Sequence, residues 1–441
     1  MKLFYVLIIS IFFFSCSFDN KTGIWENENK VIKKGENNIF KDFEKITFSE
    51  EVFDKIITLD KKFKFDISEP YRNKSWTDTF YNKNNNLNNF KYTGLNKEVL
   101  RSKKLTKYKV SEYILFEKNN LISSDHQGNI IVFSINNRSV FAKFNFYKKK
   151  YRNIKKSLNL IVENNIIYVS DNIGYIYAYN YLANKILWAK NYKVPFRSNL
   201  KLFSNHLVTA NQNNDLFIFD KNTGRLIKLI PSEDTIINNS FINNISLNND
   251  LILFLNTYGS LYSIDKKNFR LNWFINLNKS LDLNLSNLFF GSKIVNYENK
   301  ILVSSNENFY VIDSKSGFIT SKKNFSTKIR PVVNKNNIFL VTKNNFLIVM
   351  NLKNTEIIYS HDLNKKLSDF KKIKRNLEIK NLMLVNSNIF LFIKNSHIVK
   401  LDIKGNLLEV TKVPSNLNSQ PIFIDNSLLY LDKKNKLLIV N

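Results

Sequence analysis

One cysteine, six prolines and ten glycines in 441 residues leave this chain little of the punctuation that folded proteins usually carry. The lone cysteine, Cys16, excludes an intrachain disulfide, so the fold must stand on its apolar core. Helical periodicity is missing as well. Apolar residues come in short β-branched or aromatic runs bounded by Asn pairs, which take the place of glycine-rich turns. Acidic residues are few: 37 Asp+Glu stand against 66 Lys+Arg, a formal charge of +29. The lysines are scattered, with runs such as Lys148–Lys150 the densest, and they form no basic stripe interleaved with stacking aromatics. The excess of Lys, Asn, Ile, Phe and Tyr reads as an AT-rich codon bias, and nucleic acid is not an expected partner.

Catalytic signatures are also lacking. The four histidines, His126, His206, His361 and His397, have no ligand spacing, and a zinc site needs three or four converging nitrogen or sulfur ligands. There is no Gly-x-Ser-x-Gly elbow, no glycine-rich phosphate loop and no His-x-x-x-His pair. The expectation is a protein without catalytic residues, metal, cofactor or small-molecule substrate.

The N-terminus supplies the first positive signal. Met1 and Lys2 precede an apolar run from Leu3 to Phe14, then Ser15 and Cys16. A membrane-spanning helix needs about 20 apolar residues, so this run reads instead as a secretory signal over residues 1–15. A small residue directly before the lone cysteine resembles the lipoprotein signal, which implies lipidation of Cys16. Ser17 lacks the aspartate that retains many lipoproteins at the inner membrane, so the expected site is the outer membrane, facing the periplasm. Residues 16–70 read as a lipidated N-terminus and flexible tether, because Asn, Lys and Glu dominate 19–38 and too little apolar surface is available to offset ordering entropy. Trp76 marks the expected start of compact structure.

From about residue 107 the sequence repeats. The clearest unit is the run from Gly174 to Asn180, followed by Asn184 and Trp188. Its pattern is a turn former, a short strand, and a short polar residue six positions later. Gly128, Gly174, Asn214, Gly259, Glu307, Asn345, Ser396 and Asn435 open eight units; Ser134, Asn180, Asp220, Asp265, Asp313, Asn351, Asp402 and Asn441 close them. Asn184, Gly224 and Gly317 fall ten residues after an opening, where a tight turn asks for positive φ. Trp188 and Trp273 fall fourteen residues after one and mark a blade-packing position. A period of roughly 40–50 residues with several short strands is that of a propeller blade. In the second unit the four strands are expected at Leu158–Glu163, Ile166–Ser170, Tyr175–Tyr179 and Lys185–Ala189. The reading is an all-β, eight-bladed β-propeller over residues 71–441, with four-stranded antiparallel blades. The eighth unit lacks a fourth strand, and an unlatched ring would expose a long edge; residues 98–105 are expected to supply it.

The strand–turn–Trp units, as in Tyr175–Trp188 and Leu261–Trp273, resemble the quinoprotein-type propeller repeat. That family includes quinone-cofactor dehydrogenases and the BamB-type lipoproteins of the outer-membrane protein assembly machine. The lipoprotein cysteine and the eight units resemble the BamB type, which implies a non-catalytic assembly factor that binds the periplasmic domains of the barrel assembly protein. On that resemblance the loop from Asn191 to Ser198 is the contact, with Phe196 and Arg197 as the partner-binding pair. An aromatic anchor beside a five-donor cation is a common hot-spot pairing. Acidic contacts of the next loop are not recognisable in residues 236–242. The quinone-dependent branch of the family stays open as an alternative, to be decided by carboxylates lining the central channel, and so does an envelope lipoprotein with another partner.

Overall fold

The computed structural model describes residues 17–18, 25–26, 53–233, 241–278, 289–370 and 377–441. Cys16 lies outside them. Ser17–Phe18 pairs with Trp25–Glu26 as a two-stranded ribbon, and all other described residues belong to a separate compact unit.

That unit is a ring of eight antiparallel sheets. In each blade the third strand is the segment recognised in the sequence, from Asn129–Ser134 in blade 1 to Leu437–Val440 in blade 8. Blade 2 consists of Leu158–Glu163, Ile166–Asp171, Tyr175–Asn180 and Lys185–Asn191, within two residues of the expected bounds. Most first strands are short and largely buried, as in Lys201–Phe203 or Val332–Asn334, though those of blades 2 and 7 run to six and seven residues. Fourth strands alternate toward solvent, as in Leu271–Asn276. This gradient from the channel outward follows from each sheet being covered by its two neighbours but not at its outer edge.

The turn chemistry explains the register. Seven of the eight openings have positive φ, from 60° at Asn435 to 99° at Gly174. Glu307 is the exception, because in blade 5 the turn is closed by Ser305 and Asn308 instead. The closing residues accept amide protons two and three positions on, as Asp220 does from Asn222 and Thr223 and Asp313 does from Lys315 and Ser316. Positive φ ten residues after an opening extends beyond the three positions legible in the sequence to Arg138, Phe269 and Thr355.

Blades join in pairs through one aromatic contact. The Trp188 indole of blade 2 donates to the Lys221 carbonyl of blade 3 at 2.8 Å, and the Trp273 indole of blade 4 to the Ser314 carbonyl of blade 5 at 3.1 Å. Each acceptor directly follows the closing Asp of the next blade. A Cβ on Gly224 would stand 2.3 Å from the Trp188 ring, and one on Gly317 2.7 Å from Trp273. Both glycines have positive φ, so backbone conformation and ring clearance ask for the same residue. Tyr359 of blade 6 repeats the contact with the Ile403 carbonyl of blade 7 at 3.0 Å.

Two features depart from a plain eight-by-four ring. Blade 7 has a fifth strand, since Asn89–Phe90 pairs in parallel with Leu384 and Val385 at its inner edge. Residues 53–70, assigned to the tether by composition, run along blade 6. Phe53 packs edge-on against Phe325 and Phe346, Ile57 bridges Ser360, and Ser68 bonds Asn334. Blade 8 takes its fourth strand from Glu98–Arg101, paired antiparallel with Leu437–Val440, and Lys97 and Asn441 exchange backbone bonds at 2.9 Å.

The seam contact sets an expectation for stability. Trp188→Ala should cost about 3–5 kcal/mol, the range for truncating a buried large aromatic. Gly224→Ala should also destabilise. In a double-mutant cycle read by denaturant unfolding the two losses should be clearly less than additive, because both remove one contact.

Candidate functional site at the central channel

The first strands line the channel, and each presents an inner edge of backbone N–H and C=O groups that no neighbouring blade satisfies. Left buried without partners, such groups are costly. Residues 71–92 meet that need by passing round the channel and bonding every blade in turn.

The circuit starts at blade 8, where Asn73 Nδ2 donates to the Phe423 carbonyl at 2.9 Å. Trp76 and Phe116 of blade 1 exchange two backbone bonds of 2.8 Å, and the Val162 amide of blade 2 donates to the Thr77 carbonyl at 3.0 Å. On blade 3, Lys201 Nζ reaches Asp78 Oδ2 at 2.8 Å, the Asn82 carbonyl at 2.7 Å and Asn85 Oδ1 at 2.5 Å. The amides of Leu247 in blade 4 and Asn296 in blade 5 donate to the carbonyls of Lys83 and Asn84. Asn85 Nδ2 donates to Ile245 and Ile294, so one side chain spans two blades. Asn86 exchanges both of its amide bonds with Val333 of blade 6. Asn89–Phe90 then closes on blade 7. Asparagine suits this duty because its side-chain amide donates and accepts like a peptide group.

Apolar contacts hold the same segment. Trp76, Tyr81 and Phe90 pack within 4.6–5.6 Å of one another, and Phe90 stacks on Phe423. Phe80, 2 % exposed, points among cations: Lys293 Nζ lies 4.4 Å from its ring centroid and Arg330 Cζ 6.0 Å. Arg330 donates to the carbonyls of Phe80 and Asn85 at 2.7 and 2.8 Å, and burial lowers its pKa to about 10. Burial also pushes the Lys201 ammonium down, opposed by Asp78.

The buried carboxylates are committed to partners of their own. Among the described residues the buried ones are Asp78, Glu117, Asp125, Asp171 and Asp432. Asp78 pairs with Lys201, Glu117 accepts from Tyr181, Asp125 from Thr106 and Asn129, Asp171 from Tyr147, and Asp432 from Ser415. No three His, Cys, Asp or Glu side chains among the described residues converge in a way that could hold a metal ion. His206 stacks on Phe203 and His361 packs beside Tyr359. The described residues therefore do not offer the converging donor set of a calcium-held quinone in this channel.

The loop chosen from the sequence divides into two unlike residues. Phe196 is 2 % exposed and packs edge-on against Tyr192 and Phe217, where it joins blades 2 and 3. Its ring packs in the interior between the two blades, and this is where the structure places that expected partner-binding residue. Arg197 is half-buried on the same loop, with its guanidinium directed at the Phe241 carbonyl, 3.4 Å away. Trp188 and Trp273 sit at the blade seams described above. What the sequence reading missed is the channel segment. Its signal was present: Trp76, Phe80, Tyr81, Leu87, Phe90 and Tyr92 are too dense a set of large apolar residues for a solvated linker, though Asn dominates between them.

No family model matches this chain, and no curated relative matches it. In fold it is an eight-bladed propeller of the kind shared by BamB and the quinoprotein dehydrogenases. The structure of BamB from Moraxella catarrhalis aligns with a TM-score of 0.62 at 10 % identity, covering 78 % of this chain and 99 % of that one. A europium-containing methanol dehydrogenase aligns at 0.63 and 10 % identity over 83 % and 89 % of the two chains. The quinohemoprotein alcohol dehydrogenase from Comamonas testosteroni aligns at 0.59 and 9 % identity over 84 % and 81 %. At such identities the likeness is one of fold.

The buried ion pair gives the site its test. Asp78→Ala leaves Lys201 in the channel wall without its anion, and should cost about 3–5 kcal/mol, the usual penalty for stranding one partner of a buried pair. Asp78→Asn keeps the hydrogen-bonding shape and should lose less. Thermal or urea unfolding of the two variants measures the difference.

Proposed function

We propose that this protein is a non-catalytic scaffold of the bacterial envelope. In this reading it is lipid-anchored through Cys16 at the outer membrane, faces the periplasm, and assists barrel-protein assembly by binding the periplasmic domains of the barrel assembly protein. The observation that carries the proposal is the filled channel. A propeller used for cofactor chemistry needs its enclosed space for the cofactor, whereas here residues 71–92 bond all eight inner strands across that space. Binding is then left to the rims and loops, which a rigid ring presents without changing shape. The fold likeness to BamB supports the same reading. The likeness to the two dehydrogenases is equal in extent, and the committed buried carboxylates weigh against the activity it suggests.

Arg197 is the residue this reading places at the interface. Arg197→Ala should weaken binding to the barrel assembly protein's periplasmic domains about thirtyfold or more, the low end of a hot-spot loss of roughly 2–4 kcal/mol. Its melting temperature should stay close to that of the parent. Phe196→Ala should instead lower the melt, since truncating a buried Phe costs about 3–5 kcal/mol. Calorimetric titration alongside thermal unfolding separates the two effects. An Arg197→Ala variant that binds as tightly as the parent would remove this loop from the interface.

A further inference from the structure

The seam where the ring closes differs from the others in how it is built. Blade 8 ends on Glu98–Arg101, a four-residue strand, while the neighbouring outer strand of blade 1, Ser139–Asn145, has seven residues. The shorter strand leaves a cleft of about 500 Å³ between them. Leu100, Leu105 and Phe133 form its apolar floor, and Val99 and Val140 stand on its walls at 59 % and 40 % exposure. A cleft of this size lies within the range that takes a ligand or a few side chains of a partner, roughly 300–1,000 Å³.

The charge around it has one sign. Arg101, Lys103, Lys104 and Arg138 line the cleft, and no carboxylate does. Arg101 is neutralised by the neighbouring Glu98, to which it donates from two nitrogens. That leaves Lys103, Lys104 and Arg138, all exposed, as three cations with no paired anion among the described residues. The outer edge of Glu98–Arg101 is also open, because this strand ends the order of its sheet. Open edges are hazards that charge normally protects, since a second copy of the same edge brings like charges together. The same charges attract an acidic strand.

We propose that the cleft between blades 8 and 1 is a docking site for an extended acidic segment of a partner protein, with apolar side chains at alternate positions entering the cleft. The alternation follows from strand geometry, in which every second side chain faces the same side. The proposal deepens the scaffold reading and rests on it, but it concerns a surface far in sequence from Arg197, so either can fail alone.

The probe is a fluorescein-labelled peptide alternating Asp with Leu and Val over ten residues, with a Lys-for-Asp peptide as control. Anisotropy titrations with the soluble protein should show binding of the acidic peptide, and at least tenfold weaker binding of the basic one. Reversing the rim in Lys103→Glu/Lys104→Glu/Arg138→Glu should cost the acidic peptide at least tenfold and improve the basic one, and Val140→Asp should also weaken the acidic peptide. Equal binding of both peptides, or no binding of either, overturns the proposal. An unchanged affinity after charge reversal, with an unchanged melt, also overturns it. If sedimentation shows dimers that Val99→Asp dissolves, the cleft is an interface between copies, and the partner proposal falls. The comparison of the two peptides on the parent protein needs no variant to fold.

Discussion

Eight inner strand edges facing one channel are the constraint from which most of this structure follows. Every first strand has its second strand on one side and nothing of its own blade on the other. Water in an open bore can satisfy those groups; here the chain does so itself. The run of asparagines between Asn82 and Asn89 supplies side-chain and backbone partners in the order in which the blades come round. The segment thereby ties blades that are far apart in sequence, since Asn85 alone holds Ile245 and Ile294. The cost is a pair of buried cations, Lys201 and Arg330, and it is met by Asp78 and by carbonyls of the segment itself.

The outer parts of the blades are joined by a different set of contacts. Trp188, Trp273 and Tyr359 link blades 2 to 3, 4 to 5 and 6 to 7, each to the carbonyl after the next blade's closing Asp. The seam between blades 8 and 1 has no such ring, and its outer strand comes from before the first repeat. Ring closure rests on hydrogen bonding at the strand Glu98–Arg101, on the bonds of Gln420 to Glu112 and of Asn435 to Thr106 and Tyr108, and on the channel segment. This explains why a cleft remains open at that seam.

The eight repeats were legible in the sequence because turn chemistry leaves a residue-level trace. An opening that takes positive φ and a closing Ser, Asn or Asp that caps its own turn survive even when glycine is scarce. The tryptophans were legible for the same reason, while Tyr359 was not, because a phenol at that phase looks like any other aromatic of a strand. The channel segment was hidden by composition. Asparagine-rich sequence reads as solvated loop, and nothing in one dimension shows that its amides replace strand neighbours. Phe196 was singled out by its loop position, which says little about which way a ring turns; in the fold the ring packs against Tyr192 and Phe217.

The proposed scaffold role supposes that residues 71–92 occupy the bore and leave the surface for binding. Hydrogen exchange read by mass spectrometry addresses it directly, through the amides of Phe116, Val162, Leu247, Asn296 and Val333. Each donates to the channel segment. These amides should exchange as slowly as those of the second strands beside them, because opening them requires the segment to leave the ring. Complete exchange on the timescale of exposed loops, with the second strands still protected, would mean an open, water-lined channel and would contradict the account.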